Sequence, residues 1–308
     1  MAGMSIFLFR QRSRNHADKN TRGNFETNFI TLFGLRLPIM ETVDKFLRKL
    51  PPEELEHMKL ELMRGLLKRK SLERWKFKGR YIVAVDGTGL LSFDHEPFEG
   101  CPKKTSTKGN TTWTAYVVEA KLCCGNGFCV SLASVWLDNF EDMSDKQDCE
   151  QKAFVRLAQK LKSRYPRLPI IITADSLYPN NTCFDICKTN GWKFIIVLKE
   201  GSLKSLWEEV RLLYPLQEKA NAQERVIKKD KKGWLEEYSM FVTGLVYKGH
   251  KLNWLEYKEM YSGEEPHCKF VHITNMEVSK KDAWEISKHG RMRCPPAGRG
   301  RDDRKSRI

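Results

Sequence analysis

The sequence predicts an α/β fold in which helices cover a mixed sheet. Three observations lead there. Short, continuously apolar runs at YIVAV (81–85), PIIITAD (169–175) and KFIIVL (193–198) have the pattern of strands buried on both faces. Two longer segments, TWTAYVVEAKL (112–122) and FCVSLASVWL (128–137), meet at Gly125-Asn126-Gly127, a hairpin turn. Helical stripes alternate with the later apolar runs, so antiparallel strands come first and crossover units follow.

Taken in order, residues 1–24 are largely polar and basic and predict no stable structure, whereas 25–75 predict a small helical region. PPEE at 51–54 starts a helix, with proline in the first turn and acids facing the positive end of the helix dipole. Leu55, Met58, Leu62 and Leu66 mark its apolar face. The main domain spans 76–293. After the hairpin, Ser144-x-x-Gln147 has the form of a capping box ahead of a helix with Phe154, Leu157 and Leu161 on one face. CFDICKTNG (183–191) suits a short helix closed by Asn-Gly. Residues 201–278 interrupt the alternation with a helix, a charged stretch and a hairpin around Lys248-Gly249-His250, before KFVHITN (269–275) returns to the sheet edge. Ser279-x-x-Asp282 opens a last helix through Trp284 and Ile286. Residues 294–308 form a basic tail whose composition predicts disorder.

The 54 Lys and Arg against 39 Asp and Glu give a net charge of +15, and 41% of residues are hydrophobic. Removing 291–308, with seven basic and two acidic residues, takes away +5 and leaves +10, so the excess is not confined to a tail. Such a surface favours a polyanion, nucleic acid ahead of an acidic membrane. No stretch approaches the length of a membrane span. The nine cysteines lack paired CxxC spacing, which argues against a zinc site and for reduced thiols in the cytosol.

Right-handed crossovers place the 170–174 strand parallel to the 81–85 strand. Both then end at one rim of the sheet, one on Asp175 and the other on Asp86, about 5 Å apart if the strands are neighbours. A strand-ending Asp taken singly is usually a turn or helix cap. Two such carboxylates repel unless a cation sits between them. Mg²⁺, or Mn²⁺, takes oxygen ligands of this kind, and a pair of such ions supports phosphodiester cleavage. Asp86 and Asp175 are therefore the candidate catalytic and metal-binding residues.

YIVAVDGTGLLSFD, NGFCVSLASVWLDN, KQDCEQKAFVRLAQKLK, ADSLYPNNTCFDICKTNGWKFIIVLKEG and ITNMEVSKKDAWEISKHGRMR together resemble the DDE transposases of bacterial insertion sequences, in the insertion-sequence-four-like group. The resemblance runs from about residue 22 to 293. It implies an RNase H-like fold, a β-rich insertion at 201–278, and Asp86 and Asp175 as the first two acids of a catalytic triad. It also implies Mg²⁺-dependent cutting and joining of double-stranded DNA at transposon ends and target, by a homodimer associated with the bacterial nucleoid. Arg291 and Arg293 match a basic pair beside the family's third acid. That acid is missing. Counted from Arg293, its place holds Ala297, and Pro295-Pro296 would stop a helix there. The break resembles a shifted reading frame or a rearranged end and implies a crippled enzyme, or a DNA- or partner-binding remnant that interferes with a full-length transposase.

Lys103, Lys104 and Lys108 form a basic loop suited to phosphate contacts. Asp94-His95-Glu96 reads as a turn rather than a metal cluster, and Trp234 and Trp254 as hairpin packing residues. Glu285 reads as a solvated surface acid.

Overall fold

The computed structural model describes residues 18–19, 23–107, 109–137, 146–230, 233–261 and 264–292. The chain divides into two compact units near residue 65, ten residues short of the end expected for the helical region. The first contains α1 (Asn24–Phe33), α2 (Met40–Lys49) and most of α3 (Pro52–Lys68), with a small core of Phe29, Leu37 and Met40. The helix at 52 starts where the proline and acids place it, but its apolar stripe is not buried. Leu55, Met58 and Leu62 are 45%, 66% and 66% exposed, and Met63 is the residue withdrawn from solvent.

The second unit is organised by one sheet. Its strands are β1 (Tyr81–Phe93), β2 (Lys103–Thr105), β3 (Thr111–Cys123), β4 (Cys129–Trp136), β5 (Ile170–Ala174), β6 (Lys193–Val197), β7 (Gln223–Asp230), β8 (Gly233–Tyr247), β9 (His250–Tyr261) and β10 (Cys268–Thr274). The order is β2-β3-β1-β5-β6-β10-β9-β8-β7, with β4 on β3. β3 and β4 are antiparallel to their neighbours, and β5 and β6 run parallel to β1. The β4-β3-β1-β5-β6 core is RNase H-like.

The helices are α4 (Lys146–Arg164), α5 (Asn181–Asn190), α6 (Lys204–Asn221) and α7 (Lys280–Gly290). Ser144 of the proposed capping box lies outside the described residues. Phe154, Leu157 and Leu161 of α4 are buried, as their spacing predicts. α5 ends at Gly191, whose φ of 68° is the left-handed conformation that the Asn-Gly pair anticipates. Asn180 caps its other end, accepting from Cys183 N at 2.9 Å. α7 lays Ala283 and Ile286 on a core that includes Ile82, Ile171 and Ile195.

Three elements depart from expectation. β1 continues well past residue 85, because Asp86 to Phe93 pair with β3 although their side chains are mostly exposed. The 201–278 segment, expected to return to the sheet edge at 269–275, extends the same ladder beyond β6 with all four of its strands, β10, β9, β8 and β7. The charged stretch within it is strand β7, an edge strand whose polar residues suit its solvent-facing position. Trp254 packs against Trp207 and Tyr214, at ring separations of 6.0 and 5.9 Å. Trp234 is 49% exposed. Cys101, Cys123, Cys124, Cys183, Cys187 and Cys268 are free thiols. No helix among the described residues is long and apolar enough to cross a membrane.

Two predictions concern how α7 is held. A Cβ at Gly290 would lie 2.7 Å from the His272 ring and 2.8 Å from Ile195 Cγ2. Gly290→Ala should therefore cost roughly 1–3 kcal/mol through overpacking, read as a lower urea midpoint. At the other end, Lys78 Nζ meets Asp282 Oδ2 at 2.7 Å, and this hydrogen bond holds the Asp282 carboxyl below its usual value of 3.8. A depressed acid contributes stability above its unfolded pKa and loses it as pH falls through the folded one. Wild type should accordingly exceed Asp282→Asn in stability at both pH 7 and pH 5, the gap closing only below about 3.8; closure between pH 7 and 5 would count against the pair.

Candidate metal and nucleic-acid site

β1 and β5 pair in parallel from Tyr81↔Ile170 through Val85↔Ala174. The next residues on the two chains are Asp86 and Asp175, so the two carboxylates stand abreast at one rim, one strand spacing or about 4.8 Å apart at the backbone. Side chains alternate along a strand, which puts Ala84 and Asp86 on the same face as Thr173 and Asp175. β3 adds two more residues to that face, since Asp86 pairs with Glu119 and Ala84 with Lys121.

These groups enclose a small pocket of about 40 Å³, lined by Asp86, Glu119, Lys121, Thr173 and Asp175. The end of α7 closes it with Gly290 and Met292. The volume holds an ion and about one or two water molecules.

Asp175 is partly the turn residue that its position at a strand end suggests. Its Oδ1 accepts the Leu177 N–H at 2.9 Å, an Asx-type turn that fixes the carboxylate at the rim. Glu119 is held by Lys121, Nζ to Oε2 at 3.0 Å. Thr173 is 3% exposed and its hydroxyl has no hydrogen-bond partner. A buried hydroxyl without a partner costs about 1–3 kcal/mol, so an oxygen-seeking ligand in this pocket would relieve it.

The opposite face of the rim is equally constrained. Gly87 follows Asp86, and a Cβ there would lie 2.8 Å from the Tyr116 ring and 2.9 Å from the Glu150 carboxylate. Glu150, on α4, is 2% exposed and accepts a hydrogen bond from Tyr116 Oη at 2.8 Å. Burial first, then this hydrogen bond, then the charges of Glu150, Asp86 and Asp175 push the Tyr116 phenol far above its usual range. Tyr178 is shifted the same way, by burial and then by the charges of Glu150, Asp175 and Asp86. Two neutral phenols thus sit in a field of concentrated negative charge.

The donor chemistry fits a hard divalent cation. Two carboxylates on adjacent strands and an unpaired hydroxyl are all oxygen ligands, as Mg²⁺ or Mn²⁺ requires. The fit is partial. Among the described residues, no group of three or more His, Cys, Asp or Glu converges to hold a metal ion. Asp86 and Asp175 would therefore bind an ion that completes its sphere with water or substrate oxygens.

The other candidates divide. Lys103 and Lys104 belong not to a loop but to the edge strand β2, paired opposite Trp113 and Thr112, and both are exposed. β1 and β3 run on past the rim toward this strand, so the two lysines sit near the tip of a ribbon that projects from the acid pair. Arg291 is engaged within the protein. Its Nη1 pairs with Glu259 Oε1 at 2.9 Å, and its guanidinium lies 4.9 Å from the Tyr257 ring and 4.7 Å from that of Phe270. Lys108 and Arg293 lie outside the described residues. Asp94, His95 and Glu96 form local turn contacts, with His95 Nδ1 and Asp94 Oδ1 2.7 Å apart. Glu285 is exposed.

Sequence reasoning missed Glu119, Lys121, Glu150, Gly87 and Thr173. Glu150 had a signal, since it lies four residues before Phe154 on the stripe that α4 buries. Glu119 stands out less, as one acid within an otherwise apolar run.

No family model matches the chain, and no curated protein matches it. Among solved structures, the catalytic domain of Mos1 mariner transposase is similar at 17% identity and a TM-score of 0.23, covering 56% of this chain and 73% of that one. A Mos1 transposase paired-end complex with the left transposon end gives 14% identity and a TM-score of 0.22, covering 63% and 56%. Neither likeness is close enough to bear on chemistry.

Gly87→Ala should force Tyr116 and Glu150 apart and shift the Asp86 carboxylate. We expect a loss of roughly 1–3 kcal/mol in stability. Mn²⁺ affinity, measured by electron paramagnetic resonance on protein still folded, should fall about as far as in Asp86→Asn. Unchanged Mn²⁺ binding in the folded variant would show that Gly87 does not position the pair.

Proposed function

We propose that this chain is a DNA strand-cleaving and strand-transferring enzyme of the DDE transposase type, acting with Mg²⁺ or Mn²⁺ and impaired, with no third acid converging on the pair among the described residues. The observation that supports it is the parallel register that sets Asp86 and Asp175 abreast, in one pocket with an unpartnered Thr173 hydroxyl. The net charge of +15 supports a polyanionic substrate.

Asp86 and Asp175 would hold the cation and, through it, a scissile phosphate. When bound, the ion supplies Lewis-acid polarisation of that phosphate and lowers the pKa of an attacking water or 3′ hydroxyl. The Asx turn keeps Asp175 from swinging into solvent. Lys121 neutralises Glu119 and limits repulsion against an incoming phosphate. Lys103 and Lys104, on the projecting ribbon, would contact the duplex backbone rather than its bases. Two chains acting on paired transposon ends complete this reading.

One observation favours a second reading, a binding remnant without catalysis. Glu119 stands closest in register to Asp86, yet it is drawn to Lys121, and no third acid converges among the described residues.

The two readings part in a cleavage assay. Supercoiled plasmid carrying the DNA that flanks this gene is incubated with wild type, Asp86→Ala or Asp175→Asn, in Mg²⁺ or Mn²⁺. Strand cleavage by wild type that falls about 100-fold or more in each variant supports the enzyme. Duplex binding with no cleavage by any form supports the remnant. Cleavage that survives both substitutions would remove the acid pair from the chemistry.

A further inference from the structure

The rim of the sheet opposite the acid pair carries the reverse charge. Arg80 immediately precedes β1, Lys193 opens β6, Lys251 lies at the start of β9, and Lys188 projects from the last turn of α5. All four line one cleft of about 570 Å³, and no carboxylate is among the described residues of its lining. The acid beside it is Asp185, whose Oδ1 lies 3.3 Å from His250 Nε2.

The cleft is built rather than incidental. Arg80 Nη1 donates to Gly191 O at 2.9 Å, and Lys193 Nζ donates to Asn275 O at 3.1 Å. Each cation is thereby held in place by a neutral carbonyl and retains further N–H donors. Asn275 itself is locked, accepting from Phe194 N at 3.0 Å and donating to Trp192 O at 3.1 Å. The floor is apolar and rigid: Phe184 and Phe194 stack with centroids 5.1 Å apart. Fixed charges over a low-dielectric floor attract an anion more strongly than the same charges on mobile surface lysines.

Their spacing selects the anion. Arg80 and Lys193 are two strands apart through β5, and Lys193 and Lys251 two strands apart through β10. At about 4.8 Å per strand the three cations recur roughly every 10 Å along roughly 20 Å of rim. One nucleic-acid strand advances about 3.4 Å of axis per phosphate, so that interval matches about three phosphates and the row about six. A single phosphate or a mononucleotide would engage one end of such a row.

We propose that this cleft is a second seat for a nucleic-acid backbone, about 20 Å from the acid pair along β1. The proposal rests on the reading of the chain as a DNA-acting protein and adds a contact that the acid pocket does not supply. One DNA segment is bound at the acidic rim and a second stretch of backbone at the basic one.

The test is fluorescence anisotropy with a labelled 30-base-pair duplex across a range of salt. Lys188→Glu/Lys251→Glu changes two exposed side chains outside the acid pocket. The control, Arg211→Glu/Lys219→Glu, makes the same change in net charge on two exposed residues of α6 that do not line the cleft. The cleft variant should bind at least about 10-fold more weakly than the control, with a log–log salt slope shallower by about 1.8, at about 0.9 per phosphate contact. Equal weakening in the two double variants, or wild-type affinity and slope in the cleft variant, would overturn the proposal while leaving duplex binding by wild type intact. Loss of labelled mononucleotide binding with duplex affinity unchanged would also overturn it, in favour of a small phosphate ligand. No duplex binding by wild type at all would remove both this proposal and the function on which it rests.

Discussion

The register between β1 and β5 governs the rest of the molecule. Five consecutive residue pairs, from Tyr81↔Ile170 to Val85↔Ala174, are buried on both faces of the sheet. A slip of one residue would exchange the two faces and strand α4 and α7 on the wrong side chains. α7 packs on the face of Ile82 and Ile171 and cannot follow such a slip. The positions of Asp86 and Asp175 are therefore dictated by apolar packing several residues away, not by any attraction between the acids. Hydrophobic burial supplies the free energy that holds two like charges at one rim.

That arrangement is tolerable because each face of the rim is managed separately. On the α7 face, Lys121 pairs with Glu119, which compensates that carboxylate beside the Asp pair. On the α4 face, Tyr116 donates to the buried Glu150, and Gly87 is the only residue type that leaves room for both. Removing either cation or glycine would return the cost to the Asp pair. The same logic explains Arg291. Burial alone would disfavour both Glu259 and Arg291 in charged form, but the hydrogen bond from Tyr257 to Glu259, then the Glu259–Arg291 hydrogen bond and attraction, outweigh it, lowering the acid and raising the base. The arginine thus anchors the end of α7 to β9 and to the Tyr257 and Phe270 rings, and the helix end is held against the acidic pocket.

What the sequence disclosed follows from where burial is complete. YIVAV, PIIITAD and KFIIVL are recognisable because strands buried on both faces admit nothing but apolar residues, and the crossover rule then turns three strands into an acid pair. β7, β2 and the outer half of β1 were illegible because they are edge or projecting segments, where pairing comes from the backbone and side chains carry no pattern. Leu55, Met58 and Leu62 misled for a related reason: a helical stripe shows amphipathicity but not whether anything covers it. Within the site, Asp86 and Asp175 were legible as the carboxylates that end two apolar runs, although β1 itself continues past Asp86. Glu119 and Thr173 were not, since their importance lies in cross-strand neighbours that only the register reveals.

A parallel set of strands has two chemically different ends, and this chain uses both. Asp86, past the paired stretch of β1, and Asp175, after β5, face one rim, and the residues that precede β1 and open β6 face the other, so charge of opposite sign is separated by about 20 Å along the strands. A polyanion near such a sheet is repelled by the bare acid pocket and attracted by the basic cleft. Divalent cations reverse the first effect and, by screening, weaken the second. On the proposed reading the basic rim captures a backbone before the acid pair has bound a metal ion, whereas the acidic rim accepts a phosphate only once a cation sits there. Under that proposal binding and chemistry are separable, because the basic cleft and the acid pair lie at opposite ends of the same strands.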